Sequence, residues 1–419
     1  MAKLRLGVIG AGSWTMSSHL PNLIKHRDEI EFAMAHGPAQ PGRLRLHVRP
    51  SARRWSCKEA GHFLRGAGSG FNLSRRPADD RGSVSMTPSE RAWSSASKTA
   101  TPTATVDQFG LGTVSLRSER PKVAFAILDA WRAAGGRLID TAAVYGAGES
   151  ERAIGAWLRA RDVRDEVVLL TKGAHPDPSD WVSRMTPDAI EADLTASLVR
   201  LGVKSVDVYL VHRDDPSVPV GVILEALAAQ VAAGRVRAYG VSNWTPARLD
   251  EALDYIEAHN MPPLAWSSSY FGLASPVVPS LPGVVDASDG ASRDWYASHA
   301  TRLVAWSPGG NGYFVPDADL AAGRFDAYRD PANLARRERA ADLATRRGWT
   351  MSQVALAWVL SQPFAPVALI GTTSVAHLRE ALDAATIRLT EEERRWLEHG
   401  GDAVPVEPQA GREEVTWTS

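Results

Sequence analysis

The sequence predicts a (β/α)₈ barrel over residues 106–400 of a 419-residue chain. Eight short apolar segments alternate there with amphipathic helical patterns, and this alternation favours a closed barrel over an open sheet. Polar residues follow several of these segments directly, and the carboxyl ends of the strands are where such a barrel carries its chemistry. With 44% hydrophobic and 23% charged residues, the composition is that of an ordinary globular protein and excludes wholesale disorder.

The individual elements are predicted from apolar runs and from helical periodicity. The predicted strands are 109–116, 137–143, 167–172, 206–212, 237–243, 264–270, 302–308 and 366–372. The predicted helices are 121–134, 149–160, 245–258, 332–347 and 351–361, with a further helix opening after the eighth strand. One more helix is indicated by an apolar stripe at positions i, i+4, i+8 and i+11, formed by Ile190, Leu194, Leu198 and Leu201.

The regions outside the barrel have a different texture. Residues 1–36 suggest a strand, a glycine turn and a helix over 17–30, whereas residues 37–105 show no sustained period and form an Arg/Ser-rich linker that we expect to be disordered. Residues 401–419 form a C-terminal tail. The chain has a net charge of −1, but residues 41–105 hold twelve basic and four acidic residues, a local balance of +8. A nucleic-acid-binding arm is one interpretation, but no folded binding motif accompanies these charges, so a solvated linker is favoured.

Several classes of protein are excluded. No run of 18 uncharged apolar residues exists, which argues against a transmembrane helix. The apolar start of the chain runs straight into glycines, unlike a signal peptide. The single cysteine, Cys57, excludes an intramolecular disulfide framework and a Cys-rich zinc site. We therefore expect a soluble cytoplasmic protein with no membrane, metal or nucleic-acid partner.

Four polar residues follow predicted strands at the same rim of the barrel. Asp140 lies in the second strand, Tyr145 five residues later, Lys172 ends the third strand and His212 ends the fourth. Any one of them alone would more simply be a helix cap or a structural residue. Together they form a proton donor for a carbonyl: an ammonium lowers the pKa of a tyrosine, whose ordinary value is about 10, and a carboxylate holds the lysine charged. Because this set has no electron source, a hydride-carrying cofactor is implied.

The barrel segment resembles the aldo-keto reductases. The segment IDTAAVYGAGESERAIGAWL is similar to that family's signature after the second strand, and LLTKG, VDVYLVH and YGVSNW follow in the family's order and spacing. The resemblance covers about 290 residues. It implies a catalytic tetrad of Asp140, Tyr145, Lys172 and His212, with Tyr145 as the general acid and a nicotinamide as hydride donor.

The same resemblance implies a cofactor site. Its residues are Gly112, Thr113, Asp140, Ser242, Asn243, Ser267, Trp306, Ser307, Gly309, Gly312, Gly371, Thr372, Thr373, His377 and Glu380. Ser267 replaces the family's usual glutamine, and Trp306 replaces the aromatic, commonly tyrosine, on which nicotinamide stacks. Near Thr373 the family frequently has an arginine, lysine or serine that binds the 2′-phosphate. NADP(H) is therefore the preferred cofactor on family grounds, with NAD(H) as the alternative.

The substrate is expected to be a small carbonyl compound bound by the loops that follow the strands. The candidate lining residues are His175, Trp181, Arg213, Asp214, Tyr270 and Phe271. The connection 271–298 is long enough to act as a lid. Its charged residues Asp286, Asp289 and Arg293 leave a sugar-like substrate open, although loop charges are usually only solvated.

Residues 1–36 resemble the start of the Gfo/Idh/MocA-type oxidoreductases, with Gly10, Gly12 and Thr15 in a Rossmann-like turn. No second βα unit follows, and the Glu-Lys-Pro-type motif of that family is absent. We interpret the segment as a truncated remnant joined to the barrel by gene fusion or frameshift. The chain as a whole is then expected to reduce an aldehyde or ketone reversibly. A cofactor-binding regulatory barrel and a non-functional fusion product are the alternatives, and the oligomeric state is left open.

Overall fold

The computed structural model describes residues 4–8, 30–34, 106–320 and 323–401. It divides into two units, residues 1–100 and residues 101–419. In the first unit, strands Leu4–Val8 and Ile30–Met34 pair in parallel. The first was predicted, but Ile30 was expected to end a helix and instead begins a strand, whose sequence IEFAM has apolar residues at its first, third and fifth positions. The predicted glycine turn, the rest of that helix, the linker and most of the tail lie outside the described residues.

The second unit contains a closed barrel of eight parallel strands, which confirms the predicted fold class. Each strand pairs with its sequence neighbours, and the last closes the ring against the first. The strands are β1 (Phe109–Gly112), β2 (Leu138–Asp140), β3 (Val168–Gly173), β4 (Val206–Val211), β5 (Val236–Ser242), β6 (Trp266–Tyr270), β7 (Arg302–Trp306) and β8 (Val367–Ile370). Six of these strands lie inside the predicted segments, and β3 and β5 each extend one residue beyond them.

Ten α-helices surround the barrel among the described residues. They are α1 (Pro121–Ala133), α2 (Glu149–Arg161), α3 (Pro187–Leu201), α4 (Val220–Ala232), α5 (Pro246–Ala258), α6 (Gly290–Ser298), α7 (Pro331–Arg347), α8 (Met351–Leu360), α9 (Val375–Asp383) and α10 (Glu391–His399). Short 3₁₀ turns lie at Val106–Gln108, Arg164–Glu166, Gly310–Gly312, Gly323–Tyr328 and Ala384–Thr386. The predicted long connection 271–298 is shorter than expected, because its last nine residues form α6, whose N-terminus is capped by the side chain of Asp289. No described helix is long and apolar enough to span a membrane.

Strand alternation divides the buried residues into two sets. Ile139, Leu169 and Leu303 pack with the helices in the main hydrophobic core. The residues between them, such as Leu138, Leu170 and Val304, are just as buried and fill the barrel interior. A packed interior leaves the rim at the carboxyl ends of the strands as the place where polar side chains converge.

Candidate active site

The strand register brings three of the predicted polar residues to one rim and to the interior side. Asp140 is paired with Leu170, and Lys172, two residues further along β3, is paired with Leu210 of β4. Residues paired in this way face the same side of a parallel sheet, and interior positions recur every second residue. His212, two residues after Leu210, therefore continues the same interior row at the end of β4.

Lys172 is the centre of this group. Its ammonium donates hydrogen bonds to the carboxylate Oδ1 of Asp140, to the carbonyl of Thr141 at 3.1 Å and to the hydroxyl of Tyr145 at 3.3 Å. The side chains of Lys172 and Asp140 are only 3% and 2% exposed. Three oxygens thus hold a buried ammonium in one position, against the phenol of Tyr145.

Tyr145 lies in the turn after β2 and is partly exposed. Its hydroxyl oxygen accepts a hydrogen bond from Lys172. Among the described residues, no acceptor is bonded to the hydroxyl proton of Tyr145. The ring of His212 meets the ring of Tyr145 edge-on, with 5.7 Å between centroids. Nδ1 of His212 is buried and has no hydrogen-bond partner among the described residues. The site therefore holds a phenol proton and an imidazole with unused hydrogen-bonding capacity side by side.

The charges of this cluster follow from burial and from mutual contact. Burial lowers the pKa of Lys172, but Asp140 and Tyr145 outweigh it, so the pKa of the ammonium lies above its ordinary value. Burial raises the pKa of Asp140, and Lys172 opposes that rise. Burial also raises the pKa of Tyr145 above 10, and the nearby ammonium only partly offsets it. Lys172 therefore acts in the expected direction, but in this structure desolvation outweighs it and keeps the pKa of Tyr145 above its ordinary value.

The imidazoles near the site are neutral. Burial, assisted by the positive charges of Lys172 and Arg213, lowers the pKa of His212 well below its ordinary value. His175 lies next to it, with 4.9 Å between ring centroids, and burial lowers its pKa to about 4. At neutral pH the cluster thus presents a protonated phenol, a charged lysine and two neutral imidazoles.

Ser242 and Asn243, at the end of β5, lie beside this cluster. The Asn243 amide donates to the carbonyl of His212 at 3.2 Å and to the Ser242 hydroxyl at 2.9 Å. Its oxygen accepts from the indole of Trp306 at 3.2 Å and from the amide of Val285 at 3.3 Å. The amide of Asn243 is therefore fully used, and a ligand amide would have to displace one of these bonds. Trp306 itself is partly exposed and is fixed edge-on against Tyr270, at 5.2 Å.

The structure separates Ser267 from the other predicted cofactor residues. Ser267 pairs with Val241 and Leu303, which face the helices, and its hydroxyl lies 2.9 Å from the hydroxyl of Tyr296 on α6. The next residue, Ser268, pairs with Ser242 on the interior side, and its buried hydroxyl has no partner among the described residues. The sequence prediction named Ser267 and not Ser268 because the family resemblance points to that position, and a shift of one residue in a strand reverses the face.

The remaining predicted cofactor residues lie along the ends of β1, β7 and β8. Gly112 and Gly371 lie close together, as a Cβ atom added to Gly371 would be only 3.2 Å from the carbonyl oxygen of Gly112. Thr113 is buried, and both its amide and its hydroxyl donate to the carbonyl of Asp140. Ser307 adopts a left-handed φ of 52°, a strained conformation that is enriched at functional sites. Beyond it come Gly309, with open space where a side chain would stand, and Gly312.

The N-terminus of α9 faces the same rim. Ser374 caps it by accepting from the amide of His377, and the Thr372 hydroxyl accepts from the amide of Ser374. Thr373 and His377 are exposed. Glu380 is partly buried, and its backbone carbonyl accepts a hydrogen bond from the side-chain amide of Gln353. A helix N-terminus with exposed polar residues is suited to bind phosphate.

The predicted substrate-lining residues divide into two groups. In the first group, the rings of His175 and Trp181 lie 5.6 Å apart between centroids, and His175 is next to His212. Arg213 belongs to the same group and is buried next to His212. By contrast, Phe271 is stacked on Trp358 in the helical layer, so its expected role as a lining residue was wrong.

The charged residues of the predicted lid have structural partners. Asp286 accepts from two serines of its own loop, Asp289 caps α6, and Arg293 pairs with Glu398 at 2.7 Å. They therefore give no specific support to a sugar-like substrate. Among the described residues, no group of three or more His, Cys, Asp or Glu side chains is placed to hold a metal ion.

The closed parallel barrel and the polar cluster on its carboxyl rim define a (β/α)₈-barrel enzyme. The aldo/keto reductase family profile matches residues 108–399, and the chain belongs to that family. It is 31% identical to aldo-keto reductase str7 of Strobilurus tenacellus over 283 residues, which cover 64% of this chain and 78% of str7. It is also 31% identical to the oxidoreductase YrpG of Bacillus subtilis over 311 residues, 70% of this chain and 91% of YrpG.

Among solved structures, the chain is similar to an aldo-keto reductase from Klebsiella pneumoniae in complex with NADPH. The TM-score is 0.54 at 26% identity, and the match covers 74% of this chain and 95% of that protein. These comparisons confirm the family that residues 106–400 resembled. They offer no support for the resemblance of residues 1–36 to a second oxidoreductase family.

Proposed function

We propose that this chain is an NADP(H)-dependent reductase of aldehydes or ketones in which Tyr145 is the general acid. The observation that carries the proposal is the hydroxyl of Tyr145, which accepts from the buried Lys172 and has a proton free to donate. The Klebsiella pneumoniae reductase similar to this chain was solved with NADPH, which supports the choice of cofactor.

The residues around the rim fit a nicotinamide cofactor. The exposed part of the Trp306 indole supplies a face for stacking, and the unpartnered hydroxyl of Ser268 together with Ser242 supplies polar contacts for the carboxamide. Asn243 would contribute by exchanging one of its present hydrogen bonds for one to the carboxamide. The loop of Ser307, Gly309 and Gly312 and the N-terminus of α9 would hold the phosphates. When bound, NADPH supplies the hydride that reduces the carbonyl carbon.

The protein's own residues handle the proton. Tyr145 donates its phenol proton to the carbonyl oxygen, which gains negative charge as the carbon is reduced. Lys172 stabilises the resulting phenolate through the 3.3 Å contact, and Asp140 keeps that lysine charged and in place. Neutral His212 orients the same oxygen by a hydrogen bond, since its buried imidazole carries no positive charge at neutral pH.

The decisive experiment measures NADPH and NADH oxidation by the purified protein with a panel of aldehydes, ketones and keto-sugars. We expect turnover of at least one class, with NADPH preferred. Binding of NADPH without turnover of any class would instead favour a regulatory barrel, and absence of both would favour a non-functional fusion product.

A further inference from the structure

Arg213 is a buried cation at the active site that the proposed mechanism does not use. It directly follows His212 at the end of β4 and is only 7% exposed. One terminal nitrogen donates to the carbonyl of His212 at 2.9 Å, whereas Nε is buried and has no acceptor among the described residues. Buried charges are costly unless they are paired, so an unpaired guanidinium at this position calls for an explanation.

The neighbouring carboxylates are committed elsewhere. Asp140 is bound to Lys172, and Asp214, the next residue along the chain, pairs with Arg248 at 3.3 Å. In the described part of the chain, Arg213 forms no ion pair with any acidic side chain. Because Asp140 and Lys172 neutralise each other, the charge of Arg213 is left without a counter-ion within this cluster.

Arg213 acts electrostatically on the reacting groups. Its charge lowers the pKa values of His212 and His175 and favours the ionised form of Tyr145. Burial lowers its own pKa to about 10, so it remains charged at neutral pH. The hydrogen bond to the carbonyl of His212 holds the guanidinium beside this residue, from where its charge acts on Tyr145 and on both histidines.

The loop after β6 encloses the stem of this side chain. A Cβ on Gly283 would lie 3.4 Å from Cδ of Arg213, and Gly283 has a left-handed φ of 67° that favours glycine. This contact covers the aliphatic stem, and the residue as a whole is only 7% exposed, so little water reaches the guanidinium. A charge-assisted hydrogen bond from such a shielded donor is stronger than one at the protein surface.

From these contacts we propose that Arg213 binds a carboxylate of the substrate, so that the preferred substrates are oxo-acids or formyl-acids. The carboxylate is the missing counter-ion of the guanidinium, and the free Nε edge suits its planar, two-oxygen geometry. This inference rests on the proposed reductase function, since it names the substrate class of the same site.

The test compares three aldehydes of similar shape: 4-formylbenzoate, its neutral methyl ester and 4-formylphenyl phosphate. For the wild-type protein with NADPH, we expect kcat/KM to favour 4-formylbenzoate over the ester by about 10-fold or more. Arg213→Gln should reduce this ratio by about 10- to 100-fold, mainly through KM, and Arg213→Lys should retain part of it because the point charge remains. Lys204→Met, which removes an exposed cation before β4 at the opposite rim, is the matched control and should leave the ratio unchanged.

Several outcomes would overturn the assignment. An equal loss for the ester and the carboxylate in Arg213→Gln, with a shifted pH profile, would mean that Arg213 only tunes Tyr145. A preference for the phosphate ester over 4-formylbenzoate would contradict a carboxylate site. Melting temperature and NADPH binding of each variant identify a folding defect, in which case the Lys variant decides. If the neutral ester and all other carbonyls fail with the wild-type protein, it is the reductase function itself that is wrong.

Discussion

Replacing Lys172 by methionine should separate its catalytic role from its structural one. In the structure its ammonium contacts Asp140, Thr141 and Tyr145 at 3% side-chain exposure. Loss of a hydrogen bond to a charged group, here the forming phenolate, costs about 1.5–3 kcal/mol, which corresponds to roughly 10- to 150-fold in kcat. Because the phenol then lacks its stabilising cation, the pH profile of the residual activity should move to higher pH.

The same substitution should destabilise the fold, because Asp140 is left buried without a counter-ion. Removing one partner of a buried pair costs about 3–5 kcal/mol, which for a unit of roughly 320 residues lowers Tm by about 4–8 °C. The double variant Lys172→Met/Asp140→Asn removes the unpaired charge and should recover most of the lost Tm but none of the lost kcat. Steady-state kinetics and thermal melts of the wild-type protein and the two variants test this. Recovery of kcat together with Tm would refute a catalytic role for Lys172 and leave it a structural one.

Three further predictions concern other parts of the chain. The Thr373→Arg variant, changed just before α9, should bind NADPH more tightly by about 1–3 kcal/mol in fluorescence titrations. Its NADH binding should be unchanged, since only NADPH carries the 2′-phosphate, and equal gains for both cofactors would show that the phosphate lies elsewhere. His175 has a folded pKa of about 4 against an ordinary value of 6.5, so the unfolded state takes up the proton first as pH falls. The free energy of unfolding, measured by denaturant titration, should therefore fall by up to about 2 kcal/mol between pH 6.5 and pH 5. The His175→Asn variant should lose less over this range, and an identical loss would contradict the assignment. Deleting residues 1–100 should leave kcat/KM and NADPH affinity within about threefold, because the barrel closes its own core; loss of cofactor binding would show that the first unit is a working part.

The sequence was most informative about the barrel itself. Strands of a parallel barrel are buried on both faces and appear as short apolar runs, such as VDVYLV in β4, so all eight could be placed. Three residues of the proposed tetrad, Asp140, Lys172 and His212, could be singled out from the same pattern because they come at the ends of these runs, and the family resemblance implied the tetrad as a set. Helix α6 was missed since its sequence, GASRDWYAS, is short and has no clear apolar stripe.

Finer properties of the site depend on side-chain contacts that the sequence does not contain. Ser267 and Ser268 are identical neighbours, and only the register of β6 shows which one faces the interior. The raised pKa of Tyr145 depends on how much water its phenol has lost. In the same way, Arg213 could be named as a lining residue, but its missing counter-ion became visible only once Asp214 was found paired with Arg248.

The central claim is that Tyr145 supplies the proton to the carbonyl, and Tyr145→Phe tests it most directly. The substitution removes one oxygen from a partly exposed side chain and leaves the Lys172–Asp140 pair intact. General acid catalysis contributes about 10²–10⁴-fold, so the variant should lose at least that much kcat with any reactive aldehyde. Its NADPH affinity, measured by fluorescence titration, should stay close to that of the wild-type protein. A Phe variant that binds NADPH normally and retains more than about a third of the wild-type kcat would contradict the account, since such a loss is far below the contribution of a general acid.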